Sequence, residues 1–126
     1  MIRKANIKDA KQIYRLINYW AKKGIVIERS FNYIYENIRD YWIFENRGRI
    51  LGLCALHVIG WKDLGEIKSL VVDKKYQRKN IGTALVNACI DEAVSLKLKE
   101  LFALTFVGRF FKKNGFKKIG MDKLPP

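Results

Sequence analysis

An apolar segment that passes abruptly into a basic loop and then into an amphipathic run constrains this chain more than any other feature. The apolar segment ends at Asp73, the loop covers residues 77–82, and the periodic run continues to about Leu96. This order predicts a strand, a turn and a helix N-terminus, where free backbone N–H groups and the helix dipole face one point. Arg78 and Lys79 add full positive charges. The segment therefore predicts a binding site for a phosphorylated ligand.

The composition limits the kind of partner that the chain can have. Its 126 residues suffice for one domain, residues 1–126, with a single core. The net charge of +13 favours an anionic partner, which could be a nucleic acid, an acidic metabolite or a phosphate-bearing cofactor. Nucleic acid is the weaker alternative, because the basic residues are spread along the chain and no aromatic RNA-binding motif is present. No apolar run reaches the roughly 18 residues of a membrane span and no secretory signal is evident, so we expect a cytoplasmic protein.

Neither a metal site nor a disulfide is expected. Cys54 and Cys89 lie in apolar, periodic surroundings without metal-ligand spacing, which predicts two buried free thiols. One His and two distant Cys make a poor zinc ligand set. His57 lies in an apolar, strand-like run and has no evident partner, so we interpret it as a structural residue.

The spacing of apolar residues predicts strands and helices in a mixed order. Asn6 can cap the first helix, with Asp9 completing a capping box, and Gly48 suits the turn of a hairpin. The expected strands cover residues 2–5, 41–45, 49–59, 65–72, 100–106 and 116–119. The first expected helix follows the cap at Asn6 and has apolar residues at helical spacing from 13 to 21, and the other expected helices cover residues 31–39, 81–96 and 108–114. This order indicates a mixed α/β sheet with helices on both faces.

The order of elements and the central turn resemble the GNAT superfamily of acetyl-CoA-dependent N-acetyltransferases over essentially the whole chain. In that family the strand is followed by Gln or Arg, two further residues, Gly, one residue, and then Gly or Ala. This chain has Gln77, Arg78 and Gly82 in matching places, and residues 114–116 (Asn-Gly-Phe) stand in the family's closing position. Asn80 replaces the first Gly of the motif, and Asn is the non-Gly residue that best tolerates left-handed backbone geometry.

The resemblance implies a fold and a mode of acetyl-CoA binding. The sheet would be mostly antiparallel, with one parallel pair of strands splayed apart to admit the thioester. The N–H groups of the turn would hold the CoA pyrophosphate, and the preceding strand would pair with the pantetheine arm. An exposed basic turn without a ligand is the alternative. The implied cofactor contacts are Leu70, Val71, Val72, Gln77, Arg78, Lys79, Asn80, Ile81, Gly82, Thr83 and Phe111.

Further segments are similar to the acetyltransferase domain of N-acetylglutamate synthases, which acetylate the α-amine of glutamate in arginine biosynthesis. They include residues 29–30, 35–40 and 102–106. In those enzymes the Arg before the second helix is associated with a substrate carboxylate, which implies that Arg29 and Ser30 belong to the acceptor site.

Two observations qualify this assignment of the acceptor site. Arg29 could instead be a surface cation paired with Glu28 or another acid. After Thr105 the chain lacks the second basic residue that the synthases often carry, and Arg109 lies nearby but shifted.

The reaction implied by the resemblance is direct transfer to a neutral amine, which requires a proton acceptor because an ammonium ion cannot attack. Glu66 matches the family's usual base position, with pairing to Lys68 as its alternative. Backbone N–H groups near Leu70 and Val71 would stabilise the oxyanion. Phe111 occupies the place of the Tyr that often protonates the leaving thiolate, and a phenyl ring cannot donate a proton.

These residues favour an acetyl-CoA-dependent N-acetyltransferase that acts on a small amine, with an amino acid such as glutamate as the preferred acceptor. A non-catalytic acyl-CoA-binding or regulatory module and an N-acetyltransferase acting on a protein or peptide amine remain alternatives. The sequence has no acidic cluster, which argues against a polyamine acceptor. Exposed strand edges in so small a sheet would allow a homodimer.

Overall fold

The computed structural model describes residues 1–60 and 63–103, which form a mixed sheet with helices against both faces. The strands are β1 (Ile2–Lys4), β2 (Tyr41–Asn46), β3 (Arg49–Ile59), β4 (Leu64–Val72) and β5 (Glu100–Phe102). The helices are α1 (Ala10–Ala21), α2 (Phe31–Glu36) and α3 (Ile81–Ser95). Neighbouring strands are antiparallel from β1 to β4, and β5 is parallel to β4. The predicted fold class, a mostly antiparallel sheet with one parallel pair, is confirmed.

Part of the expected architecture falls outside the described residues. That part comprises the end of the fifth strand, the helix expected at residues 108–114, the strand expected at residues 116–119, and Phe111. Within the described part of the chain, no helix combines the length and the apolar character needed to cross a membrane.

Local sequence signals set several element ends where the sequence predicted them, but the helix expected over residues 31–39 ends at Glu36, and a separate short turn follows at Ile38–Asp40. The Asn6 side chain accepts a backbone N–H at 3.0 Å, and the Asp9 carboxylate accepts the Asn6 N–H at 2.7 Å, which completes the expected capping box. After α1 the chain reverses at Gly24, whose φ is 74°. The β2–β3 hairpin turns through Arg47 and Gly48, both with positive φ (52° and 78°), as a short hairpin turn requires.

Two apolar clusters fix the helices on opposite faces of the sheet. Burying a Leu or Ile side chain stabilises the fold by about 1.5–3 kcal/mol, so these clusters account for the placement of the helices. Leu96, expected on the buried face of α3, is 51% exposed because the helix ends at Ser95. The cluster under α1 and α2 includes Ile13, Ile17, Ile34, Ile43, Leu53, Ala55 and Val71. The cluster under α3 includes Cys54, Leu56, Ile67, Ile81, Leu85 and Cys89.

A glycine in β3 lets α3 approach the sheet closely beside the basic turn. A Cβ on Gly52 would lie 3.0 Å from Ile81 Cγ2, 3.1 Å from Leu85 Cδ1 and 3.2 Å from the Val71 carbonyl oxygen. We expect Gly52→Ala to destabilise the protein by about 1–3 kcal/mol and to lower its Tm, because the helix must shift. Gly60→Ala is the control, since a Cβ there meets no atom of the described residues within 4 Å. Equal Tm values for the two variants would contradict the close packing.

Candidate functional site

The turn between β4 and α3 has the backbone geometry of an anion site. Arg78 and Asn80 adopt left-handed conformations, with φ of 64° and 63°, so the predicted tolerance of Asn80 for this geometry is confirmed. Such residues turn neighbouring N–H groups toward a common side. The first hydrogen bond of α3 runs from the Ala84 N–H to the Asn80 carbonyl oxygen at 3.1 Å. The first three amides of the helix therefore lack partners inside it and, with the helix dipole, can bind an anion.

A cavity of about 410 Å³ opens beside this turn. Lys79 is exposed and does not line it, whereas Arg78 does. Phe111 lies outside the described residues. The other predicted cofactor residues line the cavity, namely Leu70, Val71, Val72, Gln77, Arg78, Asn80, Ile81, Gly82 and Thr83. Three further lining residues, Trp20, Ile25 and Tyr76, were not predicted. Trp20 and Ile25 come from a distant segment that no local pattern connects to the turn.

The end of β4 is tied to both α1 and the turn through a single carbonyl group. The Trp20 indole Nε1 and the Gln77 side-chain Nε2 each donate a hydrogen bond to the Val72 carbonyl oxygen at 3.0 Å. Trp20 comes from the last turn of α1, and Gln77 begins the predicted turn motif. The side chain of Gln77 therefore holds the turn against the strand.

β4 carries an irregularity that the sequence did not indicate. Leu53 pairs with Val71 and Ala55 with Lys68, so Cys54 alone faces two β4 residues, Ser69 and Leu70. Ser69 has a φ of 59°, an uncommon conformation for a residue inside a strand. This is a β-bulge, which bends the strand and interrupts its ladder.

Beyond the bulge, the backbone N–H and C=O groups of successive β4 residues point alternately toward β3 and toward the cavity. The Asp73 N–H donates to the Leu51 carbonyl oxygen at 2.7 Å. In an antiparallel ladder the residues at alternate positions point the other way, so the amides of Leu70 and Val72 point away from β3. Among the described residues, β5 pairs only with the first part of β4, up to Glu66. The Leu70 amide and carbonyl can therefore serve a ligand in the cavity.

Glu66 lies opposite His57 in the β3–β4 ladder. His57 does have a partner, contrary to expectation: its Nδ1 lies 2.8 Å from Oδ2 of Asp40, which ends the short turn before β2. Asp40 is 17 positions away along the chain, so sequence spacing could not reveal the pair.

Glu66 forms no ion pair within the described part of the chain, and Lys68 donates instead to the hydroxyl of Tyr33. The alternative that paired Glu66 with Lys68 is not observed.

Arg29 lies over the ring of Tyr33, with the guanidinium carbon 4.7 Å from the ring centroid. Its backbone is held by Asn18, whose side chain accepts the Arg29 N–H at 3.2 Å and donates to the Arg29 carbonyl at 3.0 Å. No ion pair with Glu28 or another acid is present in residues 1–60 and 63–103. Ser30 caps α2, since its hydroxyl accepts the Tyr33 N–H at 3.1 Å.

The cysteines are packing residues. Cys54 and Cys89 are free and fully buried, as predicted. The neighbouring Cys89 thiol, together with burial, raises the pKa of Cys54 well above its ordinary value, so Cys54 is a poor nucleophile. The described residues contain no group of three side chains that could hold a metal ion.

Comparison with known proteins matches these features to one family. The model of the acetyltransferase (GNAT) family matches residues 8–116. An amino-acid acetyltransferase of Mycobacterium tuberculosis is 35% identical over 122 residues, which are 94% of this chain and 69% of that protein.

Two crystal structures with bound CoA are similar to this fold. A Mycobacterium tuberculosis protein in complex with CoA is 35% identical, with a TM-score of 0.89 over 95% of this chain and 73% of that one. The N-acetylglutamate synthase of Neisseria gonorrhoeae, complexed with CoA and N-acetyl-glutamate, is 33% identical with a TM-score of 0.95. That alignment covers 99% of this chain but 30% of the synthase, so the chain spans less than a third of the longer protein.

Proposed function

This chain belongs to the GNAT family of acetyltransferases, and from that premise we propose that it transfers the acetyl group of acetyl-CoA to the α-amine of an amino acid such as glutamate. The observation that carries the choice of acceptor is Arg29, whose Nε is buried and has no hydrogen-bond partner among the described residues. An unpaired buried donor is costly, and a carboxylate would satisfy it. The relatives named amino-acid acetyltransferase support the same class of acceptor. Glutamate as acceptor would place the protein in arginine biosynthesis.

The residues around the turn fit acetyl-CoA. The free amides at the start of α3 and the charge of Arg78 suit the diphosphate. The Val72 amide and the Leu70 carbonyl offer the pantetheine arm the hydrogen bonds of an additional strand. Together these groups would place the thioester beside the middle of β4, near the bulge at Ser69.

The chemistry requires a base and an oxyanion stabiliser at that point. Glu66 would accept the proton, directly or through water, as the amine nitrogen bonds to the acetyl carbon. The Leu70 N–H would donate to the oxygen of that carbon while negative charge develops on it. The C–S bond then breaks and CoA leaves as a thiolate, a tolerable leaving group because an unperturbed thiol has a pKa of about 8.5.

Arg29→Met tests the acceptor assignment, because Met keeps the apolar contact with Tyr33 and removes the charge. We expect the KM for the amino acid to rise roughly tenfold to hundredfold, while the KM for acetyl-CoA stays nearly constant. The control is Arg15→Met, which changes an exposed residue of α1. An unchanged acceptor KM would remove Arg29 from the acceptor site.

The function itself is tested with the purified protein, acetyl-CoA and a panel of amino acids, with release of free thiol as the readout. We expect turnover with at least one α-amino acid and mass-spectrometric detection of its N-acetyl product. Tight CoA binding without turnover on any amino acid, peptide or other amine would instead identify a non-catalytic acyl-CoA-binding module. Turnover restricted to peptide amines would identify a protein or peptide acetyltransferase.

A further inference from the structure

A histidine and an aspartate form a hydrogen-bonded pair that the proposed chemistry does not yet use. His57 Nδ1 lies 2.8 Å from Oδ2 of Asp40, which ends the short turn before β2. An ionised carboxylate accepts hydrogen bonds and cannot donate them, so Nδ1 carries the proton and donates to Asp40. The second ring nitrogen, Nε2, is then the proton acceptor of the neutral ring. Within residues 1–60 and 63–103, no other carboxylate forms an ion pair with this histidine.

The pair lies next to Glu66, the proposed base. His57 and Glu66 are partners in the β3–β4 ladder, and directly opposite residues of an antiparallel pair place their Cβ atoms about 4.5–5.5 Å apart on one face. That face is the one under α1 and α2, because Ala55, two positions before His57, belongs to the cluster under those helices. His57 and Glu66 form no direct ion pair among the described residues, so a proton can cross between them through one water.

Exposure increases along this face of β3 toward the imidazole. Ala55 is fully buried, whereas the side chain of His57 is 38% exposed. Glu66, on the neighbouring strand, is partly buried. The imidazole therefore has access to solvent, to which a proton can be released.

The charges around the imidazole determine whether it can hold a proton. Asp40 contacts the ring and Glu66 lies opposite it, so both negative charges stabilise an imidazolium. Lys68 shares the face but lies on the diagonal, roughly 7–8 Å away, and its ammonium donates to a tyrosine hydroxyl. Burial raises the pKa of Tyr41, so its hydroxyl stays neutral. The charged and titratable groups on this side of the sheet are Arg29, Tyr33, Asp40, Tyr41, Glu66 and Lys68.

The proton count of the proposed reaction requires a second acceptor. The amine of an amino acid is largely an ammonium ion at neutral pH, and its nitrogen carries three protons, whereas the nitrogen of the amide product carries one. Two protons must therefore leave the nitrogen in each turnover, and the carboxylate of Glu66 can hold one of them. Phe111 cannot exchange the other, because a phenyl ring has no titratable group.

We propose that His57, oriented by Asp40, takes the first of these protons from Glu66, so that the protein binds its acceptor as an ammonium ion and deprotonates it in the site. This inference rests on the proposed acetyltransferase function. One N–H bond of the ammonium breaks as Glu66 takes the proton, which then passes through water to Nε2 of His57 and forms an imidazolium. Glu66 is ionised again, and it takes the second proton as the neutral amine bonds to the acetyl carbon. The imidazolium releases its proton to solvent.

Steady-state kinetics across the pH range test this relay with a readout that a structural role would not give. We expect His57→Gln to lower kcat roughly tenfold at neutral pH, less than the loss expected on removal of the base itself, with the KM for acetyl-CoA nearly constant. The deficit should shrink as the pH rises, because more of the acceptor is already a free amine. Added imidazole, a diffusible proton acceptor, should restore most of the lost rate.

Two further variants identify the proton path. Asp40→Asn should show the same pH pattern as His57→Gln, and Asp91→Asn, at an exposed position of α3, is the matched control and should leave kcat unchanged at every pH. If His57 acts through Glu66, adding His57→Gln to Glu66→Gln should cost much less than the roughly tenfold seen alone. A full additional loss in the double variant would place His57 on an independent path and overturn the relay.

The outcomes separate the relay from the function on which it rests. Equal kcat for His57→Gln and the unmodified protein at neutral pH overturns the relay, and so does a loss that is constant with pH and insensitive to imidazole. Either result leaves the acetyltransferase function standing, because the unmodified protein still releases thiol with amino acids. Absence of turnover by the unmodified protein on every amine overturns both. If His57→Gln lowers the Tm, Asp40→Asn provides the same test in a folded variant.

Discussion

Glu66→Gln is expected to lower kcat by at least about 100-fold at neutral pH, the usual contribution of general base catalysis, while CoA affinity stays close to that of the unmodified protein. The substitution keeps the shape of the side chain and removes its capacity to accept a proton. Glu66 is partly buried, lies opposite His57, and shares with Lys68 the face of the sheet that α1 and α2 cover. Its removal should therefore affect the proton transfer and not the cavity at the turn.

The pH dependence gives this prediction a signature that a misfolded variant would not show. As the pH rises, a larger fraction of the acceptor amine is already neutral, so the deficit of Glu66→Gln should shrink. Glu36→Gln, at an exposed position of α2, is the matched control and should behave as the unmodified protein does. A Glu66→Gln variant with full activity at neutral pH would show that another group or water accepts the proton.

Asn80→Val should have the second largest effect, a loss of CoA affinity of at least roughly tenfold. The φ of 63° at Asn80 is costly for a β-branched residue, by about 1–3 kcal/mol, so the turn must either carry that strain or abandon the geometry that aims its amides. Asn80→Gly is the matched control, because Gly adopts positive φ freely. It should retain CoA binding even though it also removes the side chain.

Titration of CoA into both variants, with Tm measured in parallel, separates loss of the anion site from loss of the fold. If Asn80→Val binds CoA as tightly as Asn80→Gly, the backbone of the turn does not hold the diphosphate. The affinity would then have to come from the cavity walls and from the charge of Arg78.

The parts of the site that sequence could predict are those built from local signals. The turn at residues 77–82 follows from its spacing, and Asn80 adopts the left-handed conformation that its residue type allows. The capping box at Asn6 and the hairpin at Gly48 are equally local. In each case a residue and its near neighbours determine the backbone conformation, and the tertiary contacts favour the same conformation.

The parts that sequence did not reveal depend on tertiary register. Serine is not a residue type that usually marks a bulge. The positive φ of Ser69 follows from the way β3 and β4 align. The pairing of His57 with Asp40 and the meeting of Arg29 with Lys68 at Tyr33 join residues far apart in the chain. No spacing rule connects them, because a shift of one residue in the strand register would separate each group.

The bulge at Ser69 also restricts how the length of this segment can change in evolution. Before the bulge, Glu66 and Lys68 face α1 and α2. Strict alternation would place Leu70 on that face as well, but after the bulge Val71 lies there and Leu70 faces α3. Deleting Ser69 would remove the bulge and the bend that it gives the strand, whereas deleting a residue on either side of the bulge would turn that part of the strand to the wrong face. Insertions and deletions among the descendants of this gene should therefore accumulate in the connecting loops and be purged from this strand.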